Sequence, residues 1–100
     1  MSEGPPNQES IEQVTREQVI DSLRQNPEDL SLLHKFLDKR EAEVRDSKDA
    51  LALNVEVAEI YRDAGLREAA RKAFQQAAEQ AWQEGEDVLC ERLTSEALKL

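Results

Sequence analysis

The sequence predicts an all-α fold of four to five helices arranged in antiparallel hairpins. Apolar residues recur at spacings of three and four along most of the chain, which is the period of a helix that buries one face. No segment shows the alternation of a half-buried strand over a useful length. The composition agrees, because the 100 residues include only 3 Gly, 3 Pro and 4% aromatic side chains, whereas the helix-favouring residues Ala, Leu, Glu, Gln and Arg are abundant.

The chain divides into a short tail and one helical domain. Residues 1–10 contain a Gly-Pro-Pro-Asn stretch and no apolar side chain beyond Met1, so they cannot bury enough surface to offset the entropy of becoming ordered. We therefore predict a flexible N-terminal tail over 1–10 and a single helical domain over 11–100, since a chain of this length fits one domain.

Two start signals predict the first two helices. Thr15 followed by Gln18 fits a capping box, in which each side chain accepts a hydrogen bond from the other residue's backbone amide. It predicts a first helix over about 15–25. The segment Asn26-Pro27-Glu28-Asp29 combines an Asn cap, a proline without an amide, and acids near the positive end of the helix dipole. It predicts a second helix that begins there and continues to about residue 45.

Two glycines divide the rest of the chain into three helices. The third helix is predicted over about 48–64 and ends at Gly65, where Leu66 can close the hydrophobic contact of a glycine cap. The fourth is predicted over about 67–84 and ends at Gly85, and Glu86-Asp87 opens a fifth. Because so few residues separate the third and fourth helices, we expect them to form an antiparallel helical hairpin.

The third and fourth helices share a pattern of small and aromatic residues. Residues 58–77 read AEIYRDAGLREAARKAFQQA, and the spaced key residues are Ala58, Tyr61, Gly65, Ala70, Phe74 and Ala77. This pattern resembles the core of a tetratricopeptide repeat, in which small residues let two antiparallel helices approach closely. The resemblance covers about one repeat, residues 51–84, and departs from the family at Asn54, where Trp is common, and at Trp82, where Pro is common. One such unit cannot bury its own face, so the second and fifth helices are expected to cap it.

The resemblance implies a binding groove lined by the first helix of the pair. Matching the family pattern onto this sequence, the groove-facing residues would be Ala52, Val55, Glu59, Arg62 and Asp63. Family members that grip a terminal carboxylate have Lys and Asn where this chain has Val55 and Glu59, which disfavours acidic C-terminal tails. The acidic groove favours a basic or amphipathic segment. The expected function is a protein–protein interaction module, either an adaptor or a chaperone-like cover for a partner peptide or helix.

Two other functions fit the sequence. A short repeat array has uncapped ends, which would suit a self-associating structural helical module and hence a homo-oligomer. The net charge of −9 would suit an acidic regulator of a basic protein, although the acidic excess is spread over every segment instead of one face. The same charge disfavours nucleic acid and anionic membranes as partners.

No pattern in the sequence predicts catalysis, a metal or a cofactor. His34 is expected at the surface or its boundary, and Cys90 as a buried or half-buried structural side chain. For Trp82 we favour packing on the fifth helix over exposure as an interface anchor. A single Cys forms no intramolecular disulfide, residues 1–10 lack the pattern of a secretory signal, and no apolar run approaches a membrane span. We therefore expect a non-enzymatic protein located in the cytoplasm.

Overall fold

The computed structural model describes residues 14–100 and contains five helices in that range. Helix α1 spans Arg16–Gln25, α2 spans Ser31–Glu41, α3 spans Ser47–Asp63, α4 spans Arg67–Gln83 and α5 spans Asp87–Leu98. No strand occurs within residues 14–100, so the predicted all-α fold is confirmed. The predicted tail over 1–10, together with the first three residues of the predicted domain, lies outside the described residues.

Side chains cap the starts of α1 and α3 as their sequences indicate. Thr15 Oγ1 accepts from the Gln18 amide at 3.2 Å, and Gln18 Oε1 accepts from the Thr15 amide at 3.0 Å. The predicted capping box is therefore confirmed. At the start of α3, Asp46 accepts from the amide of Asp49 at 3.0 Å. Each cap satisfies backbone donors that have no partner within the helix.

The predicted bounds of the second helix are wrong at both ends. Instead of starting a helix, Asn26 accepts from the amide of Glu28 at 3.2 Å, and Asp29 accepts from the amide and hydroxyl of Ser31 at 3.2 and 2.6 Å. These short-range bonds hold a turn, which is the alternative open to Asn and Asp side chains. The bonds from Ser31 also lower the pKa of Asp29 below its ordinary value.

The second helix also ends earlier than predicted, because the residues after Glu41 form turns and then the N-terminal cap of α3. After Glu41, successive turns bond Glu43 N to Arg40 O at 3.0 Å and Val44 N to Glu41 O at 3.1 Å. Asp46 then adopts an extended conformation with φ −153° to cap α3. An extended residue interrupts the helix, so α2 and α3 are separate elements.

Glycine turns close α3 and α4 in the same way. After α3, Leu66 N donates to Tyr61 O at 2.9 Å and Gly65 N donates to Arg62 O at 3.0 Å. The corresponding pair of bonds forms around Gly85 at 2.8 and 3.1 Å. The two glycines have φ of 84° and 78°, in the left-handed region that glycine adopts without a side-chain penalty. Both predicted glycine stops are confirmed.

Gly65→Ala is expected to lower the free energy of unfolding by about 1–2 kcal/mol, because a Cβ disfavours this φ. Apart from chain neighbours, no heavy atom lies within 4 Å of the position that the Cβ would take, so the cost is conformational and not steric. Gly65→Asn is the matched control and should cost less, since asparagine tolerates left-handed φ better. Urea unfolding measures both variants. Equal losses for alanine and asparagine would contradict this explanation.

Two apolar cores hold the helices together, and α3 belongs to both. The buried members of the first core, between α3, α4 and α5, are Leu51, Ala58, Ala70, Phe74, Ala77, Ala78, Ala81, Leu93 and Ala97. Those of the second core, between α1, α2 and the end of α3, are Val19, Leu23, Leu33, Phe36, Ile60 and Ala64. Tyr61 packs against both cores. This arrangement gives a slab of 53 × 31 × 16 Å with α3 at the junction.

Small side chains let α3 and α4 approach closely. Ala58, Ala70 and Ala77 are fully buried, and Phe74 is 1% exposed between them. This packing agrees with the expected roles of the small and aromatic residues, and α5 extends the same core. The likeness to a tetratricopeptide repeat stays a prediction.

Candidate functional site

The predicted groove residues share one stripe of α3, called here the α3 face: Ala52, Val55, Glu59, Arg62 and Asp63. Spacings of three and four residues place them on the same side of the helix. Ala52 is exposed and the other four are half-buried. Val55 packs against the first core. The folded chain therefore brings these five residues together on an accessible surface.

Arg16 of α1 reaches three carboxylates on α3. Its guanidinium lies 3.2 Å from Glu59 Oε1, 3.5 Å from Asp63 Oδ2 and 3.9 Å from Glu56 Oε2. The other oxygen of Glu56 pairs with Arg40 of α2. All of these side chains are partly exposed. Glu56, Glu59 and Asp63 thus form one network with Arg16, Arg40 and Arg62, in which, among the described residues, Glu59 is the carboxylate that Arg16 alone contacts.

Arg62 links the α3 face to α5. It donates through Nη1 to Glu96 Oε1 at 3.3 Å and through Nε to Asp63 Oδ1 at 3.1 Å. Its guanidinium also lies over the ring of Phe74, 5.8 Å from the centroid, a favourable cation–π geometry. Partial burial acts to lower the pKa of Arg62, but the hydrogen bond to Asp63 and the nearby carboxylates outweigh it and raise that pKa. Arg62 is therefore a fixed positive charge on this face.

Helix α1 borders the α3 face on the side opposite α5. Arg24 donates to the carbonyl of Asp63 through Nε at 3.2 Å and Nη2 at 2.8 Å. A cation is favoured there because the last carbonyls of α3 carry partial negative charge. With the contacts of Arg16, these bonds fix α1 along one edge, while the bond from Arg62 to Glu96 marks the other edge. The α3 face lies between these two edges.

A cleft of about 450 Å³ adjoins the N-terminal end of the α3 face. Ala52 and Leu53 form its α3 side, and Arg40, Val44 and Arg45 line it from α2 and the following turn. The carboxylates of Glu43 and Asp49 also line it. The α3 face thus continues into a recess that offers both apolar and charged contacts.

Three side chains that shape this surface were missed in the sequence: Arg16, Glu56 and Glu96. Glu56 precedes Glu59 by three residues, so helical spacing alone places it beside the predicted stripe. No local signal marks the other two. Arg16 pairs with a residue 43 positions away, and Glu96 with one 34 positions away.

Residues considered for other roles lie as follows. His34 is exposed on α2, and Cys90 is half-buried against the first core, both as predicted. The prediction that Trp82 packs on α5 is wrong, because its side chain is 67% exposed. Ala78 and Ala81 occupy the core-facing positions in the last turns of α4, so Trp82 points outward.

No family model, no curated protein and no solved structure matches this chain. In the part of the chain from 14 to 100, no helix has the length and apolar character needed to cross a membrane. The same part holds no group of three His, Cys, Asp or Glu side chains arranged to bind a metal ion. The α3 face, with charged groups along both edges, is the candidate functional site.

Proposed function

We propose that this chain is a protein–protein interaction module that resembles a tetratricopeptide hairpin and binds a basic or amphipathic segment of a partner protein across the α3 face. The module acts as an adaptor or as a chaperone-like cover for that segment. Its net charge of −9 disfavours nucleic acid and anionic membranes as partners. We place this non-enzymatic role in the cytoplasm, where a chain with one Cys needs no disulfide.

The sharing of Arg16 among three carboxylates is the observation that carries the proposal. Each of the carboxylates has two oxygens, and Arg16 lies near one oxygen of each. Both oxygens of Asp63 are already paired, one with Arg16 and the other with Arg62, whereas Glu59 is paired through Oε1. A carboxylate accepts several hydrogen bonds, so a further cation would bind mainly through Glu59, with Asp63 beside it. A Lys or Arg side chain of a partner would supply that cation and fix the register of the segment.

The existing ion pairs do not close the face to a partner. Arg16 is 33% exposed and its acceptors Glu59 and Asp63 are 32% and 37% exposed, and pairs this exposed contribute little to stability, about 0–1 kcal/mol each. Their rearrangement around an incoming cation therefore costs little. The bordering helices keep their positions through the two apolar cores, which the face does not interrupt.

An amphipathic segment would use the apolar part of the same surface. Val55 is half-buried and Ala52 is exposed at the mouth of the cleft next to Leu53. Small and branched side chains leave room for an apolar side chain of the partner to bury surface, at about 25 cal/mol per Å². Basic and apolar residues on one side of a helical segment would then meet the carboxylates and the cleft together.

The test is a selection of short random peptides displayed against the intact chain, followed by calorimetric titration of a selected peptide. We expect selected peptides to carry net positive charge and apolar residues at helical spacing. The double variant Glu59→Lys with Asp63→Lys should weaken their binding by about ten- to hundredfold, because it places like charges opposite the peptide. Circular dichroism checks that the variant keeps its helices.

The matched control is the double variant Glu28→Lys with Glu68→Lys, which changes the net charge equally at exposed positions away from the α3 face. It should bind the selected peptide with an affinity close to that of the unmodified chain. If both double variants lose affinity equally, the peptide responds to net charge alone and the assignment of the α3 face is wrong. The same conclusion follows if the selected peptides carry no positive charge.

A further inference from the structure

A second surface, separate from the α3 face, lies between α4 and α5. It is a groove of about 320 Å³, called here the end groove. Its lining includes Ala78, Glu79 and Trp82 of α4 and Cys90, Thr94 and Leu98 of α5. Trp82 is 67% exposed and Leu98 is 81% exposed. Two large apolar side chains therefore face outward at the rim of one recess.

Exposed aromatic and aliphatic side chains at a recess are typical of an interface. Isolated apolar residues on a surface need no explanation, but apolar residues grouped around a concavity mark docking sites. Tryptophan is among the residues that contribute most to binding when it enters a desolvated pocket. The end groove offers both the tryptophan and an apolar recess.

Charges flank the end groove in a specific pattern. On α4, a stripe of side chains begins at Arg71 and passes through Gln75 and Ala78 to Trp82. These residues follow one another at helical spacings of four, three and four. Along α5, Asp87 and Glu91 begin a stripe of the same spacings that ends at Leu98. One stripe thus runs from basic to apolar and the other from acidic to apolar.

The antiparallel hairpin arranges these groups at four corners. The turn around Gly85 joins the end of α4 to the start of α5, so Trp82 lies at the same end of the groove as Asp87 and Glu91. Arg71 lies at the opposite end with Leu98, where Arg67 donates to the Leu100 carbonyl at 3.0 Å. One diagonal of the surface is therefore apolar, and the other joins a basic corner to an acidic corner.

The surface around the end groove is complementary to the same surface of a second copy. We propose that a second copy of this chain covers the end groove, related by a two-fold axis that runs along the apolar diagonal from Trp82 to Leu98. That axis places each of these apolar residues against its own copy. It also exchanges the two charged corners, so that Arg71 of each copy faces Asp87 and Glu91 of the other. A two-fold contact forms every such pair twice.

The charged corners are available for this pairing. Among residues 14–100, Arg71 and Glu91 have no ion-pair partner within 4 Å. Glu91 and Asp87 are exposed and Arg71 is half-buried. A partner that is uniformly basic or acidic would oppose one of the two corners, whereas a second copy satisfies both. Glu79, which is exposed and lines the groove, adds a third carboxylate. A partner that carries both signs of charge, such as a second copy, can match Arg71 and the carboxylates together.

The first test is sedimentation velocity of the full chain at about 1–500 μM, where weak symmetric contacts become populated. We expect a reversible monomer–dimer equilibrium, with a blue shift of Trp82 emission as the dimer forms, since this is the only Trp in the chain. Trp82→Ala should raise the dissociation constant by about tenfold or more. A chain that remains monomeric over the whole range would overturn the proposal.

The second test exchanges the charged corners. Arg71→Glu and Glu91→Arg each place like charges across the two-fold axis, so each variant alone should be largely monomeric. Mixed together, the two variants restore two opposite-charge contacts, so the mixture should contain a dimer. Monomers in the mixture, with a dimer in the unmodified chain, would show that the proposed axis is wrong. The α3 face takes no part in either test, so a failure here leaves the proposed function standing.

Discussion

Phe74→Ala is expected to destabilise the protein by about 3–5 kcal/mol, the cost of removing a buried aromatic side chain. Phe74 is 1% exposed and lies at the centre of the first core. Its neighbours Ala58, Ala70 and Ala77 are too small to fill the cavity that the ring would leave. The variant also removes the ring beneath Arg62. Small domains have only about 5–15 kcal/mol of stability, so the variant should lose a large part of its free energy of unfolding.

Denaturant unfolding followed by circular dichroism measures this loss. Val88→Ala is the matched control, since Val88 is 81% exposed and surface substitutions change stability by less than about 0.5 kcal/mol. Phe74→Ala should therefore lower the transition midpoint far more than Val88→Ala. If the two variants unfold at similar denaturant concentrations, the first core is not organised around Phe74.

Ile60→Ala is expected to cost about 2–5 kcal/mol through the second core. Ile60 is fully buried and packs with side chains of α1 and α2. The two cores are connected through Tyr61, which packs against both. The loss of stability should therefore fall mainly on the helices of the second core. We expect amide exchange to speed up in α1 and α2 while α4 and α5 keep more of their protection.

Hydrogen exchange resolved by peptide or residue measures this difference. Ile60→Val is the matched control, because it removes one methylene and should cost about 0.5–1.5 kcal/mol. Equal loss of protection in all five helices would show that the two cores unfold as one cooperative unit. That result would contradict the division of the slab into two packed parts.

The two cores explain how the α3 face is held in place. Helix α3 is fixed on one side by α4 and α5 and on another by α1 and α2. The remaining side presents Glu59 and Asp63 between Arg16 and Arg62. A partner bound there would contact a rigid helix, with little conformational entropy left to lose on binding.

Local features of this fold could be predicted from the sequence. The capping box at Thr15 and the glycine stops at Gly65 and Gly85 depend on residues only a few positions apart, and all three are confirmed. Asn26 and Asp29 show the limit of local reasoning. Their side chains stabilise either a helix start or a turn, and the choice depends on how α1 and α2 pack together.

In the candidate site, too, the sequence predicted neighbours along one helix but not contacts between residues far apart in the chain. The resemblance to a repeat family placed Glu59 and Asp63 on one stripe, but it gave no indication that Arg16, more than 40 residues earlier, pairs with both. Trp82 was expected to be covered by α5, yet the core-facing turn of α4 is filled by alanines. Exposure of that side chain depends on tertiary packing, which a helical pattern alone does not specify.

The α3 face and the end groove can be occupied at the same time. The α3 face lies between α1 and α5, whereas the end groove uses the outward stripes of α4 and α5. A dimer formed through the end groove keeps both copies of the α3 face accessible. Titration of a dimer with a selected peptide should therefore reach one peptide per chain.

The most direct test of the α3 face is the change in backbone amide chemical shifts of the ¹⁵N-labelled chain when a selected basic peptide is added. The proposed function predicts that the largest changes fall on Ala52, Val55, Glu59, Arg62 and Asp63, with smaller changes at Arg16. Changes confined to Trp82 and Leu98, or spread over the surface without a maximum on α3, would contradict it.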